Sequence, residues 1–107
     1  MTTTITVLHE NVDDATFDLD DCMANHMPLV DEKFKPFGLT SWRVLRAWKH
    51  HLATSRPNSI VANLEFDSTD QFRAAVAAEA GPVFGDLPDF SNKNPVFVIG
   101  DLVRSAP

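Results

Sequence analysis

Tyrosine is absent from the 107-residue sequence, and cysteine occurs once, at Cys22. A single cysteine cannot form an internal disulfide, and without a Cys-x-x-Cys pair the chain has no structural zinc motif. The lack of tyrosine removes every phenol, so a proton relay has to use other side chains. Gly-x-Gly-x-x-Gly, P-loop and Gly-x-Ser-x-Gly segments are also missing, which leaves nucleotide binding and serine-hydrolase chemistry without support.

Basic residues are outnumbered, since 9 lysines and arginines stand against 15 aspartates and glutamates, giving a formal net charge of −6. Binding to a nucleic-acid backbone normally needs clustered basic side chains, so nucleic acid is not an expected partner. Residues 1–7 contain no basic segment and no long apolar run, which argues against a signal peptide or a membrane anchor. We therefore expect a cytoplasmic protein without a membrane partner.

The composition is globular, with 44% hydrophobic and 22% charged residues, and the length suits a single domain, residues 1–107. β-Branched residues predict a first strand at about 3–10. Two apolar runs after the glycine at position 38 predict strands at about 39–50 and 59–67, the second with clean alternation. A last apolar run predicts a fourth strand at about 95–104.

Two helices are predicted between these strands. The first extends from residue 14 or 15 to residue 34, because acidic residues begin it and apolar residues then recur at three-to-four spacing. Pro28 interrupts this pattern and predicts a kink, or a new helix, directly after His26. The second helix follows the capping run 67–70 and is expected to end at Gly81-Pro82.

The order β-α-β-β-α-β indicates an α+β fold of ferredoxin-like connectivity, with both helices on one face of a four-stranded antiparallel sheet. The other face has no predicted cover, although Val96, Val98, Leu102 and one face of the tryptophan-bearing strand are expected on it. An apolar patch of this extent favours pairing of two open faces in a homodimer. The alternative is a monomer whose open face is screened by long side chains such as Arg43 and Lys49.

Several segments of the sequence resemble the EthD family. Residues 25–30, Asn-His-Met-Pro-Leu-Val, are similar to the family's helix motif, in which a histidine is followed by Pro-Leu two positions on. Residues 38–44, Gly-Leu-Thr-Ser-Trp-Arg-Val, are similar to its glycine-led strand. Residues 84–91, Phe-Gly-Asp-Leu-Pro-Asp-Phe-Ser, with the strand at 95–100 after them, are similar to its carboxy-terminal signature. With residues 65–68 before the second helix, the resemblance covers nearly the whole chain.

This resemblance implies a dimeric α+β barrel with a pocket between the helices and the sheet of each protomer. Members are associated with ether degradation and with fungal polyketide pathways, where related domains act as dehydratases, cyclases or decarboxylases. The wider superfamily includes cofactor-free oxygenases. Relatives usually carry a Tyr-Tyr pair in the first helix where this chain has Asp21-Cys22, so the phenols of that pair take no part here.

His26 is the first candidate for catalysis, because it lies on the apolar stripe of the first helix directly before Pro28. Imidazole changes protonation near neutral pH, which suits it to act as a general base or acid on a bound carbonyl compound. The structural alternative is that His26 binds a backbone carbonyl freed by Pro28. Asp86 is the second candidate, either orienting His26 or holding a substrate hydroxyl, with a turn-capping role as its alternative.

Ligand contacts are predicted from the helix stripe and the aromatic residues, namely Cys22, Met23, Trp42, Phe66, Phe84, Phe90 and Phe97, with Trp48 in the same aromatic set. Aromatic rings suit a flat apolar ligand, although most of them have to form the core of so small a domain. Cys22 has no basic neighbour that would activate it as a nucleophile, so packing is its alternative role. His9 with His50-His51 suggests a metal site, but adjacent histidines on a strand point to opposite faces, and no metal or other cofactor is predicted.

The sequence thus predicts a small homodimer that binds a small apolar metabolite, aromatic or carbonyl-bearing. On this hypothesis it catalyses proton transfer, as in dehydration, isomerisation or cyclisation, with His26 as the base, and acts as a lyase or isomerase. Two alternatives stay open. One is a non-catalytic binding or accessory protein, and the other is a cofactor-free monooxygenase.

Overall fold

Four strands form one antiparallel sheet in the computed structural model, which describes residues 2–47 and 59–106. They are β1 (Thr3–His9), β2 (Leu39–Ala47), β3 (Ser59–Phe66) and β4 (Val96–Asp101). The order across the sheet is β2-β3-β1-β4. Trp48, Lys49, His50 and His51, which the sequence analysis singled out, lie outside the described residues.

Helix α1 consists of three consecutive segments, an α-helical turn Leu19–Asp21, a π-helical segment Cys22–His26 and an α-helix Met27–Phe34. Helix α2 extends over Thr69–Gly85. Short 3-10 turns follow the two helices at Lys35–Phe37 and Leu87–Asp89. Side chains of both helices share one core with the same face of the sheet, which confirms the predicted α+β, ferredoxin-like fold. Neither helix in the described ranges has the length and apolar composition that crossing a membrane requires.

Alternation along β1 and β3 decides which face of the sheet the helices cover. Ile5 and Val7 of β1 are buried and pair with Leu64 and Ala62 of β3, which are buried too. Successive side chains of a strand point to opposite faces, so the residues between them face away from the helices. The predicted inward face of β3 is therefore confirmed.

Three phenylalanines form the centre of this core. Phe66 of β3 is fully buried, and its ring centroid lies 5.9 Å from that of Phe34 and 5.5 Å from that of Phe72. These contacts connect the end of α1, the sheet and the start of α2. Truncating a buried phenylalanine of this kind to alanine typically costs about 3–5 kcal/mol.

Helix α1 begins later than predicted, at Leu19 instead of residue 14 or 15. Asp18 is its N-cap, because the Asp18 carboxylate accepts a hydrogen bond from the Asp21 amide at 3.0 Å. The preceding residues lie instead against the carboxy-terminal part of the chain, where Phe17 and Ser91 form a β-bridge. Tertiary pairing with a distant segment thus overrides the acidic helix-start signal.

Helix α2 continues past its predicted end at Gly81-Pro82 and reaches Gly85. The break lies earlier, at Glu79, whose backbone departs from helical geometry with φ −127° and ψ 16°. Pro82 then falls in the first turn of the helical segment after the break. A missing N–H is tolerated there, since the first amides of a helix have no intrahelical acceptor.

Strand β4 is shorter than the predicted 95–104 and lies at the edge of the sheet, with β1 as its neighbour. All six of its residues are exposed, including Phe97 and Ile99 on the helix side. The chain stays attached beyond the strand, because the Leu102 amide donates a hydrogen bond to the Thr2 carbonyl at 2.7 Å. The helix layer therefore leaves β4 largely uncovered.

We call the sheet face away from the helices the open face. Its side chains change from apolar to polar along the strands. Its side chains form three rows in the register of the sheet, Leu45-Val61-Leu8-Val96, Arg43-Asn63-Thr6-Val98 and Ser41-Glu65-Thr4-Gly100. The first row is entirely apolar, and the last is polar apart from its glycine. Leu45, Val96 and Val98 are exposed. The open face thus carries the exposed Val96 and Val98 that the sequence predicted there, but its apolar part is limited to the first row and Val98.

Candidate functional site

The π-helical segment places His26 on the inner side of α1. In this segment the Met27 amide donates to the Cys22 carbonyl, five residues back, which widens the helix by one residue. Pro28 follows directly and has no N–H for the carbonyl four residues before it, so the wider turn avoids a clash with its ring. The predicted irregularity beside His26 is therefore present, and the His26 side chain is turned into the molecule with 8% of its surface exposed.

Asp86 meets His26 from the other helix. It caps the carboxyl end of α2, and its Oδ2 lies 3.0 Å from His26 Nδ1. An ionised carboxylate can accept a hydrogen bond but not donate one, so Nδ1 carries the proton and Nε2 has the lone pair in the neutral ring. This contact orients the imidazole, as the carboxylate of a catalytic triad does.

Aromatic rings hold the His26 imidazole from the side. Phe90 is buried and its centroid lies 4.7 Å from that of His26, tilted by 47°. Phe90 also contacts Phe17 edge-on at 5.3 Å. His9, at the end of β1, completes the cluster at 4.8 Å from Phe17 and 5.9 Å from Phe90. Two imidazoles therefore border the same phenylalanine.

Hydrogen bonds fix the loop that carries Phe90 against the segment before α1. The Asp18 amide donates to the Phe90 carbonyl at 2.7 Å. The Asn92 side chain bridges the two segments, because its Oδ1 accepts from the Thr16 amide at 2.7 Å and its Nδ2 donates to the Asp14 carbonyl at 2.6 Å. We call this set of contacts the Asn92 clip. It holds the loop after Asp86 in the position that brings Asp86 and Phe90 to His26.

A cavity lies between the helices and the sheet, with room for the centres of water-sized molecules over about 40 Å³. Its wall is formed by both helices and by all four strands, and consists of Ile5, Val7, His9, Cys22, His26, Met27, Val30, Phe34, Val44, Ile60, Ala62, Leu64, Phe72, Val83, Phe84, Leu87 and Phe97. Phe97 of β4 is 42% exposed, so the wall reaches the protein surface at this edge. The cavity is small and strongly apolar in the single chain.

Among the described residues of this wall, only His9, Cys22 and His26 have side chains with hydrogen-bonding groups. Burial, with Asp21 and Asp86 nearby, raises the pKa of the Cys22 thiol to about 11. A thiol of this kind is not a nucleophile at neutral pH, which supports packing as the role of Cys22. Burial, with a smaller contribution from His26, lowers the pKa of His9 to about 4. His9 is therefore uncharged at neutral pH.

Asp89 places an exposed carboxyl next to Asp86. The hydrogen bond and the charge of Asp86 raise the pKa of Asp89 above its ordinary value. Despite these carboxyls, no group of three His, Cys, Asp or Glu residues in the described parts of the chain is arranged to hold a metal ion. The candidate site thus rests on the contact between His26 and Asp86.

The predicted ligand contacts divide into two groups. Cys22, Phe84 and Phe97 line the cavity, and Phe90 packs on the His26 ring. Met23 is 40% exposed, the Trp42 indole donates to Asp31 Oδ1 at 3.1 Å, and Phe66 belongs to the fully buried core. Met23, Trp42 and Phe66 are therefore not part of the cavity wall in the single chain.

Residues that the sequence analysis did not assign to the site are His9, as a cavity residue, and Phe17 and Asn92. The alternation of β1 contains a signal for His9, because Ile5, Val7 and His9 share one face of the strand. For Phe17 and Asn92 no local signal exists, since their role depends on pairing between segments far apart in sequence.

No protein-family model matches the sequence, and no curated protein is significantly similar to it. Among solved structures, an EthD-like protein from Ralstonia eutropha JMP134 superposes with a TM-score of 0.86 at 20% identity, over 98% of this chain and 95% of that chain. The resemblance to EthD proteins is thereby confirmed at the level of the fold.

Two further structures share this fold at lower identity. SnoaB, a cofactor-independent oxygenase from Streptomyces nogalater, has a TM-score of 0.69 at 16% identity, over 99% of this chain and 97% of that chain. A dimeric ferredoxin-like protein from an uncultured marine organism has a TM-score of 0.67 at 16% identity, over 98% of both chains. At this distance fold is shared, while chemistry has to be argued from the site itself.

Proposed function

We propose that this protein binds a small apolar molecule, aromatic or carbonyl-bearing, in the cavity between helices and sheet, and that His26 transfers a proton to or from it. The observation that carries this proposal is the 3.0 Å contact between His26 Nδ1 and Asp86 Oδ2 at the wall of an otherwise apolar cavity. A base oriented by a carboxylate is the minimal equipment for proton abstraction beside a carbonyl group.

The reaction class follows from the orientation of the ring. With Nδ1 donating to Asp86, Nε2 of neutral His26 takes a proton from the carbon next to a ligand carbonyl, and the electron pair of the broken C–H bond forms an enolate. Asp86 stabilises the imidazolium while it exists. The proton then returns either to a hydroxyl on the next carbon, whose C–O bond breaks as the carbon–carbon double bond forms and water departs, or to another carbon. The first course is a dehydration and the second an isomerisation.

The apolar wall supports this chemistry. Charges that develop during proton transfer interact more strongly where water is excluded, because the local dielectric constant is low. The same wall sets the ligand class, since a strongly charged or polyhydroxylated molecule would lose its hydration without enough partners. A ligand with one polar end and an apolar body fits both requirements.

A homodimer formed by pairing two open faces is part of the proposal. Its support is the exposed apolar row with Leu45 and Val96 and the neighbouring Val98. A protein of the same fold is described as a dimeric ferredoxin-like protein. Burial of this surface by a second copy would remove it from water without any additional segment of the chain.

The test is the dehydration of β-hydroxy ketones that carry an aromatic ring, followed by the absorbance of the conjugated enone. We expect the purified protein to accelerate this reaction and His26→Gln to lower kcat by roughly 10²- to 10⁴-fold, because proton transfer by a positioned side chain contributes about that much. Asp86→Asn should lower kcat as well, since the ring loses its orienting partner.

Ala24→Ser, an exposed change on the same π-helical segment, serves as the matched control and should keep full activity. Turnover by His26→Gln at the rate of the unchanged protein would contradict the proposed role of His26. Binding of the ketones without product would instead support a non-catalytic binding protein. Product formation from phenolic substrates that requires dioxygen would support a cofactor-free monooxygenase.

A further inference from the structure

His9 is a second imidazole on the wall of the cavity, at the end of β1. Its position follows from the strand, because it shares the inward face with Ile5 and Val7. Contacts with Phe17 at 4.8 Å and Phe90 at 5.9 Å fix the ring. The position of the His9 ring is therefore fixed by packing, although the residue lies at the end of the strand.

The hydrogen bonding of this ring is incomplete. Nδ1 of His9 is buried and has no hydrogen-bond partner among residues 2–47 and 59–106. A buried polar atom without a partner is unfavourable, and the cost depends on whether the unpaired nitrogen carries the proton or the lone pair. Neutral imidazole has one N–H donor and one acceptor lone pair. A proton on one ring nitrogen therefore leaves the other nitrogen as an acceptor.

The tautomer follows from this environment. A proton on Nδ1 would be a buried donor without an acceptor, whereas a proton on Nε2 leaves only the weaker demand of a lone pair unmet at Nδ1. The ring of His9 is thus expected to carry its proton on Nε2. Burial keeps it neutral as well, since the pKa of His9 is lowered to about 4.

His26 has the opposite arrangement. Its proton is on Nδ1, where Asp86 accepts it, and its Nε2 carries the lone pair. Both rings border Phe90, with centroid distances of 4.7 Å for His26 and 5.9 Å for His9. One wall of the cavity therefore combines an acceptor nitrogen with a donor nitrogen, and the remaining wall residues are apolar apart from Cys22.

We propose that His9 donates a hydrogen bond from Nε2 to the oxygen atom of the bound ligand while His26 acts on the carbon beside it. This inference rests on the proposed function, because it concerns a ligand in the same cavity. It narrows the ligand to molecules whose apolar body carries a carbonyl or other acceptor oxygen. A donor aimed at that oxygen stabilises the negative charge that appears there when the neighbouring carbon loses its proton.

The experiment uses two probes of nearly identical shape, acetophenone and α-methylstyrene, which differ by an oxygen atom in place of a methylene group. Affinities for the unchanged protein and for His9→Phe are measured by NMR titration. We expect His9→Phe to weaken acetophenone binding about three- to ten-fold, as loss of one neutral hydrogen bond does, and to leave α-methylstyrene binding unchanged. His9→Gln, which keeps a donor, should restore part of the preference.

A second measurement uses the unchanged protein, so the test does not depend on whether the His9→Phe variant folds. The ¹⁵N resonances of His9 should show the proton on Nε2, and the Nε2 signal should move on addition of acetophenone but not of α-methylstyrene. If both probes bind and neither the resonance nor the His9→Phe affinity ratio responds to the oxygen atom, the inference about His9 is overturned while the proposed function stands. If the unchanged protein binds neither probe, both are overturned.

Discussion

The imidazoles of His26 and His9, both on the cavity wall, differ in the surroundings of their Nδ1 atoms. Nδ1 of His26 meets the Asp86 carboxylate at 3.0 Å, so a proton that arrives on Nε2 gives an ion pair. Nδ1 of His9 meets no partner among the described residues, so a second proton on this ring would be a buried charge without compensation. The two rings thus differ in whether a carboxylate faces Nδ1.

The neutral state of His9 predicts how stability depends on pH. Burial lowers its pKa from 6.5 to about 4 in the folded protein, so between these values the unfolded chain takes up a proton that the folded chain does not. Stability from this residue is complete above pH 6.5 and is lost as the pH falls toward 4, by about 1–2 kcal/mol in total, because the partly exposed ring keeps some of its hydration. Urea unfolding at several pH values measures this change.

His9→Gln provides the control for that measurement, because glutamine keeps a polar side chain and does not titrate. The difference in the free energy of unfolding between the two proteins should shrink as the pH decreases from 6.5 to 4. A difference that stays constant over this range would show that the folded protein binds the proton at His9 as readily as the unfolded chain.

At the level of single residues, the sequence pointed to His26, Asp86 and Phe90, which the structure brings together, but not to Phe17 or Asn92 beside them. His26 has a local signal in the apolar stripe and in Pro28, and Asp86 has one in its turn sequence. Phe66 and Trp42 were predicted as ligand contacts because aromatic character alone does not tell a core ring from a cavity ring. Their positions depend on packing, with Phe66 between two other phenylalanines and Trp42 bound to Asp31.

Among the elements, α1 and the loop after α2 build the site together. The π-helical segment turns His26 inward, and the Asn92 clip holds the loop that presents Asp86 and Phe90 to it. Neither part would suffice alone, because the contact between His26 and Asp86 joins residues 60 positions apart. The site therefore depends on a loop that is fixed by polar contacts near the surface.

Asn92→Ala tests this dependence. The change removes the hydrogen bonds of Oδ1 with the Thr16 amide and of Nδ2 with the Asp14 carbonyl. We expect the free energy of unfolding to fall by about 1 kcal/mol, because exposed hydrogen bonds contribute modestly. The Asp18 amide, which donates to the Phe90 carbonyl, should exchange its hydrogen faster.

Asn94→Ala, which removes an exposed amide from the same loop, is the matched control for this experiment. Equal hydrogen exchange at Asp18 in the two variants would mean that the clip does not hold the loop. Enone formation by Asn92→Ala should also fall, through displacement of Asp86, if dehydration activity is found for the unchanged protein.

The order of the elements was predictable because strong local patterns separate the six segments. The start of α1 and the end of α2 were not predictable in this way. The apolar alternation of β3 and the serine cap of α2 are visible in the sequence and recur in the structure. The start of α1 depends on the pairing of residues 14–18 with residues 90–92, and the end of α2 depends on a break at Glu79. Boundaries of this kind are decided by tertiary contacts and not by propensity.

At the scale of the whole fold, the ferredoxin-like order β2-β3-β1-β4 leaves one sheet face without helices from the described residues 2–47 and 59–106. Few topologies accommodate a β-α-β-β-α-β order with short connections, which is why the fold followed from the element order. The open face is apolar in the row with Leu45 and Val96 and polar in the row with Ser41 and Glu65. Such a gradient favours partners that cover the apolar end and leave the polar end in water.

Pairing of two open faces would bury this apolar end. Leu45 is 49% exposed in the single chain, and on the proposed dimer a second open face covers it. Leu45→Asp would then bury a charge without a partner, so we expect the dimer to dissociate into protomers of 11.9 kDa at micromolar concentration. Val103→Asp, at a position 94% exposed beyond β4, places the same charge outside the open face and should leave the dimer intact. Sedimentation equilibrium distinguishes the two masses, and a protein that is monomeric before any substitution would show that the open face is not the site of association.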